Sequence, residues 1–121
     1  MDAVGRLPGI LLRLEGAAVL AGSVALYFDE GFGWLALVVL ALAPDLAMVA
    51  YAAGPRTGAV AYDIAHTEAL PVALGAVGLL AASELPVQLA LIWLAHIGAD
   101  RLLGYGLKYP TAFGDTHLQR V

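Results

Sequence analysis

Cysteine is absent from the 121 residues, which excludes disulfides, zinc fingers and thiol chemistry. Charge is scarce as well. Charged residues make up 13% of the chain, against about 25% in a typical soluble domain whose surface must face water. The six Lys and Arg residues form no stripe and the formal net charge is −4, so nucleic acid is not an expected partner. Hydrophobic residues supply 61% of the chain. A surface this short of charge must face something other than water, and lipid is the simplest candidate. The competing reading, a compact soluble helical bundle with an unusually apolar core, would need surface charge that the sequence does not carry. The length allows a single domain.

A hydrocarbon core about 30 Å thick needs about 20 mostly apolar residues per helix. Four such stretches are present, at about 7–28, 33–53, 57–82 and 86–104, with an interfacial tail over about 105–121. The first ends at Asp29-Glu30-Gly31 and the second at Gly54-Pro55, a helix-ending pair. Thr57 offers an N-cap for the third, and Pro86 a first helical position for the fourth. Short connections make neighbours antiparallel, so the expected fold class is all-α, a four-transmembrane-helix antiparallel bundle. Arg6 precedes an apolar stretch that carries Arg13 and Glu15 and lacks a small-residue cleavage site, so the first helix is read as retained. Gly75 and Gly78 read as sites of close helix packing. Tyr51, Tyr105 and Tyr109 read as an interfacial aromatic belt.

Orientation follows from the basic residues. Arg6, Arg13, Arg56, Arg101, Lys108 and Arg120 all fall on one side of this arrangement, whereas the opposite loops carry only Asp29, Glu30 and Glu84. Positive residues mark the cytoplasm, which places both termini there.

Ionisable residues inside a span cost about 2.5–3.5 kcal/mol each at the helix centre, so each needs a reason. This chain has Arg13, Glu15, Asp45, Asp63, His66, Glu68, His96 and Asp100 in such positions. At a rise of about 1.5 Å per residue, Asp45, Asp63, His66, His96 and Asp100 fall about 6–14 Å from the cytoplasmic helix ends. Glu15 falls at about 12 Å on the same measure. Sequence-distant residues thus share one layer. Asp63 and His66 stand at i,i+3, and His96 and Asp100 at i,i+4, so each pair shares a helix face. Pro44 removes a backbone hydrogen bond beside Asp45 and should kink the second helix; Pro71 does the same beyond Thr67.

Imidazole and carboxylate together suit zinc, manganese or iron, and facing helices of a bundle commonly supply them. The expected ligands of a divalent metal are Asp45, Asp63, His66, His96 and Asp100. Glu15 or Glu68 could act as general base, and the sequence does not choose between them. Glu68 is rotated well away from His66, which separates it from the ligand face. In the tail, Asp115 and His117 could fold beneath the bundle and cap the site, or the tail could lie along the membrane surface. The bland alternative for either His–carboxylate pair is a hydrogen bond that neutralises two buried groups.

The segments Ala43-Pro44-Asp45-Leu46, Tyr51-Ala52-Ala53-Gly54-Pro55-Arg56, Tyr62-Asp63-Ile64-Ala65-His66-Thr67 and the stretch from Ala95 to Leu118 carry a resemblance across almost the whole chain. They resemble an uncharacterised family of small bacterial four-helix membrane proteins, domain of unknown function 4260. That resemblance implies a fold and a bacterial inner-membrane location, and no activity. More distantly, Pro44-Asp45 and His96/Asp100 are similar to motifs of membrane-bound metal-dependent hydrolases. The middle motif departs from that pattern, with His66-Thr67 carrying one histidine where those proteins have two.

Two functional readings follow. One is a membrane-embedded metal-dependent hydrolase of a lipid-like substrate. The other is a non-enzymatic membrane protein whose buried groups relay protons, bind haem through His66 and His96, or lock helices together. Membrane lipids are the expected surroundings, and a unit this small often pairs with a second copy as a homo-oligomer.

Overall fold

The computed structural model describes residues 3–105, with side chains from Arg6 onward. The candidates Asp115 and His117 lie outside the described residues. Every regular element among those described is helical: α1 (Ala3–Asp29), α2 (Trp34–Leu40), a 3-10 helix (Ala43–Ala53), α3 (Pro55–His66), α4 (Ala69–Leu80) and α5 (Glu84–Leu103). The 3-10 helix continues α2, and α4 continues α3, so the six segments run as four rods. Three rods are long and apolar enough to cross a membrane: Arg6–Asp29, Trp34–Ala53 and Pro55–Leu80. The fourth, α5, is also long enough at 20 residues. Its apolar character is diluted by Glu84, His96, Asp100 and Arg101.

The molecule is turned inside out relative to a soluble domain. Neither α2 nor the 3-10 helix has a buried residue, and leucines and valines such as Val49, Leu79 and Leu80 stand exposed. Burial is concentrated on α5, from Ala90 to Arg101, and two of its buried side chains are His96 and Arg101. An apolar exterior around an ionisable interior is what lipid as solvent selects, because only buried polar groups can find partners there.

Helix α5 is the hub against which α1 and α4 pack, while the 3-10 helix packs on α3. The α1–α5 crossing is a backbone contact. A Cβ at Gly16 would stand 2.8 Å from the Gly98 carbonyl oxygen, and one at Gly98 would stand 2.6 Å from the Leu20 nitrogen. Gly78 plays the same part between α4 and α5, where a Cβ would meet Val87 at 2.8 Å, and Gly75 faces Ala90 at 3.3 Å. At the end away from these ionisable residues, Tyr27 donates to the Gly33 carbonyl at 2.6 Å and accepts from Gln88 at 3.1 Å, tying the first loop to α5.

The boundaries differ from the sequence expectation in informative ways. Helix α3 begins at Pro55, not near Thr57, because Gly54 takes a φ of 114° that reverses the chain and leaves Pro55 at the favoured first position. Helix α5 begins at Glu84 after an extended Ser83, so Pro86 sits within its first turn, where an N–H would have no intrahelical partner anyway. Gly104, at φ 96°, ends α5 as the amides of Gly104 and Tyr105 return to the carbonyls of Arg101 and Asp100.

Two rods are interrupted, and proline explains both. Past Leu40 the second rod tightens into 3-10 geometry around Pro44, with the Asp45 amide reaching the Leu42 carbonyl at 3.0 Å. Eleven residues of 3-10 helix is long for a form that rarely exceeds 3–4, and such stretches mark strain or a functional hinge. In the third rod, Pro71 can donate nothing to Thr67 and its ring crowds that carbonyl. Thr67 is accordingly extended, at φ −88° and ψ 134°, and α3 stops at His66.

Candidate metal centre

The two interruptions lie side by side, and the ionisable layer gathers there. Asp45 sits in the first turn of the 3-10 helix and His66 closes α3; His96 and Asp100 share one face of α5. One donor atom from each of these four residues falls within 4.8 Å of all the others. His66 Nε2 lies 3.0 Å from Asp45 Oδ1 and 3.4 Å from Asp100 Oδ2. His96 Nε2 lies 3.1 Å from Asp45 Oδ1 and 3.2 Å from Asp100 Oδ2. The two Nε2 atoms are themselves 3.1 Å apart. The imidazoles are buried, while the Asp45 side chain retains 30% of its exposure and gives the cluster an open side.

Each ring is held from behind by a main-chain carbonyl. His66 Nδ1 donates to Tyr62 O at 2.8 Å, and His96 Nδ1 donates to Ala41 O at 2.5 Å. A carbonyl cannot donate, so Nδ1 must carry the proton in both rings. Their Nε2 atoms therefore turn toward the cluster, and in the neutral rings each presents a lone pair there, 3.1 Å from the other. The centre of the site is thus a meeting of lone pairs from two imidazoles and two carboxylates. With both imidazoles neutral, the two carboxylates leave the group negative in a low-dielectric interior. A divalent cation would neutralise it.

The spacing suits such an ion. Donors bound at about 2.0–2.2 Å stand about 3.0 Å apart at right angles and about 3.4 Å apart at tetrahedral corners, the range in which five of the six donor pairs fall here. Two nitrogen donors point to zinc, manganese or iron in preference to magnesium or calcium, which take oxygen.

Tyr62 was not among the expected site residues, yet it touches two of the four donors' side chains. It is buried, its ring stacks on His66 at 3.6 Å with an 8° tilt, and its hydroxyl donates to Asp100 Oδ2 at 3.4 Å. Its spacing at i−4 from His66 is the signal that could have found it. Partners that orient metal ligands typically contribute 10–100-fold in affinity. Tyr62→Phe, which keeps the stack and loses the hydroxyl, is expected to weaken metal binding about 10-fold, measured by competition with a chromogenic chelator. An unchanged affinity would mean that Asp100 is held by the helix alone.

Two further side chains brace the interrupted rod. The Trp93 indole donates to Ala65 O at 2.5 Å. Buried Arg101 donates to the carbonyls of His66 at 2.8 Å and Tyr105 at 2.9 Å. Arg101 thereby caps the C-terminus of α3 with a positive charge, where the helix dipole favours one.

The remaining expected residues are placed elsewhere. Asp63 contributes no donor to the four-membered group. It is one residue past Tyr62, a rotation of about 100° on a 3.6-residue helix, and it acts electrostatically on Tyr51 and Arg101 instead. Glu15 and Glu68 line a separate cavity of about 230 Å³ together with Thr67 and Arg101. Glu68 is the foremost electrostatic neighbour of Arg101.

The fold and the site define a class: an all-helical, membrane-type protein built around a buried group of two histidines and two aspartates. Within that class the chain belongs to the family described as Domain of unknown function (DUF4260), whose model matches residues 9–121 and so takes in all four donors. No curated protein and no solved structure matches the chain.

Proposed function

We propose that the protein crosses the membrane four times, with both termini in the cytoplasm, and holds one divalent transition-metal ion in the Asp45, His66, His96 and Asp100 group for the hydrolysis of a lipid-like substrate. The observation that carries the metal is the pair of carbonyl-anchored histidines, which aim two lone pairs at two carboxylates. Hydrolysis is supported by the open side at Asp45, where a water could reach the ion, and by the depth of the site within an apolar exterior. A bound ion would lower the pKa of such a water toward neutrality. Glu15 and Glu68 are separated from the group and would need to act through it or not at all.

A fourth crossing is supported by the way α5 turns His96 and Arg101 inward and leaves Leu85, Leu89, Leu102 and Leu103 outward. The location is a bacterial inner membrane on this reading. The haem alternative is disfavoured by geometry: two histidines bind haem iron from opposite faces of the macrocycle, whereas these aim at one point 3.1 Å apart.

Metal analysis of protein purified through a histidine-free tag tests the centre. About one zinc, manganese or iron per chain is expected, released by a strong chelator at a cost in thermal stability. A metal-free protein that gains no stability from any of these ions would sink the reading. The cysteine-free sequence makes topology equally direct. Single cysteines at Gly31 or Ser83 should react with an impermeant maleimide from outside the cell, and one at Arg56 only after lysis; the reverse pattern would invert the orientation.

A further inference from the structure

A second feature of the interrupted rods is a cavity of about 300 Å³ lined by residues of the second, third and fourth rods. Its walls include Ala43 and Pro44, which precede Asp45; Ala65, which precedes His66; and Trp93, one turn before His96. Leu40, Leu74, Leu89 and Ile92 complete the lining. Every one of these side chains is apolar or, in Trp93, has its single polar group turned to the Ala65 carbonyl. The cavity offers an occupant no hydrogen bond. Water would therefore be poorly held there, since it needs two to four polar partners.

We propose that this cavity is an acyl-chain slot, which takes one hydrocarbon chain of a bilayer lipid from the side and brings the bond next to its headgroup to the metal centre. The inference rests on the metal reading above and gives its substrate a class: an acyl or alkyl lipid. Three observations argue for that occupant. The wall on the second rod belongs to segments with no buried residue, so the slot faces the same surroundings as the exposed Leu40, Leu42 and Leu46. The slot exists because both rods break where the ligands sit, so chain-binding walls and metal ligands come from the same residues' neighbours. The walls are also hydrocarbon throughout, as a lipid chain requires, and Asp45, His66 and His96 each follow a wall residue by one to three positions. In a membrane, irregular backbone is tolerated where it lines a site.

Trp93 provides the test. In the Trp34→Phe protein it is the sole indole, because Trp34 and Trp93 are the chain's two tryptophans. This protein would be reconstituted in phosphatidylcholine vesicles with and without brominated acyl chains, which quench a tryptophan they touch. Strong quenching is expected. Ala43→Leu and Ala65→Leu, which fill the slot from two different walls, should each reduce that quenching roughly twofold by excluding the chain. Metal content measured on the same samples separates the two ideas. Full metal occupancy with quenching insensitive to both variants overturns the slot and leaves the metal centre standing. Loss of quenching in the variants with no metal in any sample supports the slot and overturns the centre. A variant that no longer folds is recognised by lost helical circular dichroism, and the other then decides.

Discussion

His66→Ala and His96→Ala should each purify as folded, inserted protein that retains less than about a tenth of the parent's metal, an affinity loss well beyond the 10–100-fold typical of outer-sphere changes. Each substitution removes one of two nitrogen donors and leaves Asp45 and Asp100 facing each other across a void. With one imidazole gone, a single nitrogen donor is left and the preference for a transition ion over hydrated magnesium weakens. The histidines are the better test than the aspartates, because removing an aspartate also lowers the cluster's negative charge and relieves part of the need for a cation. The distinguishing result concerns stability. If the four residues serve only to lock helices, each alanine strips a buried partner and costs about 3–5 kcal/mol whether or not metal is present. If they hold a metal, the variants should unfold close to where chelator-treated parent protein unfolds, and added zinc or manganese should stabilise the parent alone. Equal metal in parent and variants, measured by atomic emission, would show that the ion binds elsewhere.

The second large effect is expected at Gly98, which stands between His96 and Asp100 in sequence but on the face of α5 that meets α1. Gly98→Leu should abolish folding, and even Gly98→Ala should cost at least the 1–3 kcal/mol usual for overpacking. The reason lies in what the new Cβ would meet: the Leu20 nitrogen at 2.6 Å and the Gly16 carbonyl oxygen at 2.8 Å. Those are backbone atoms of α1 and cannot rotate aside, so α1 and α5 must separate. Gly22, on α1, is the control, because a Cβ there meets nothing within 4 Å. Gly22→Ala should be neutral or stabilise by up to about 1 kcal/mol through helix propensity. Thermal unfolding in mild detergent, followed by circular dichroism, measures both. A Gly98→Ala protein as stable as Gly22→Ala would show that the two helices are not in backbone contact.

The rods were legible in the sequence because lipid imposes a long continuous apolar requirement that few other environments do. The layer formed by Asp45, His66, His96 and Asp100 was legible for a related reason. Helical rise is fixed, so depth can be counted along four helices without knowing how they pack. Rotation is less forgiving. Asp63 and Tyr62 differ by a single step along α3, and the sequence favoured Asp63 for its charge while the helix turns Tyr62 to the site. The anchoring carbonyls of Tyr62 and Ala41 had no signature at all, since every residue carries one. The breaks were half legible: Pro44 and Pro71 announce a disturbance, but not that one rod would tighten into 3-10 form and the other would stop. Nor did the sequence indicate that Arg101 closes the end of α3, a role set by how two distant segments meet.

The four donors divide evenly between two packing units. Asp45 and His66 belong to the hairpin of the 3-10 helix and α3, whereas His96 and Asp100 belong to α5, which is fastened to α1 and α4. An ion at their centre would bridge a seam, and parting of that seam would strip it of two ligands at once. Its exchange rate would then follow the breathing rate of the hairpin against the rest of the protein. The same motion would widen the slot beside Trp93, whose walls come from both sides of the seam, so that release of the ion and turnover of the lipid would be linked.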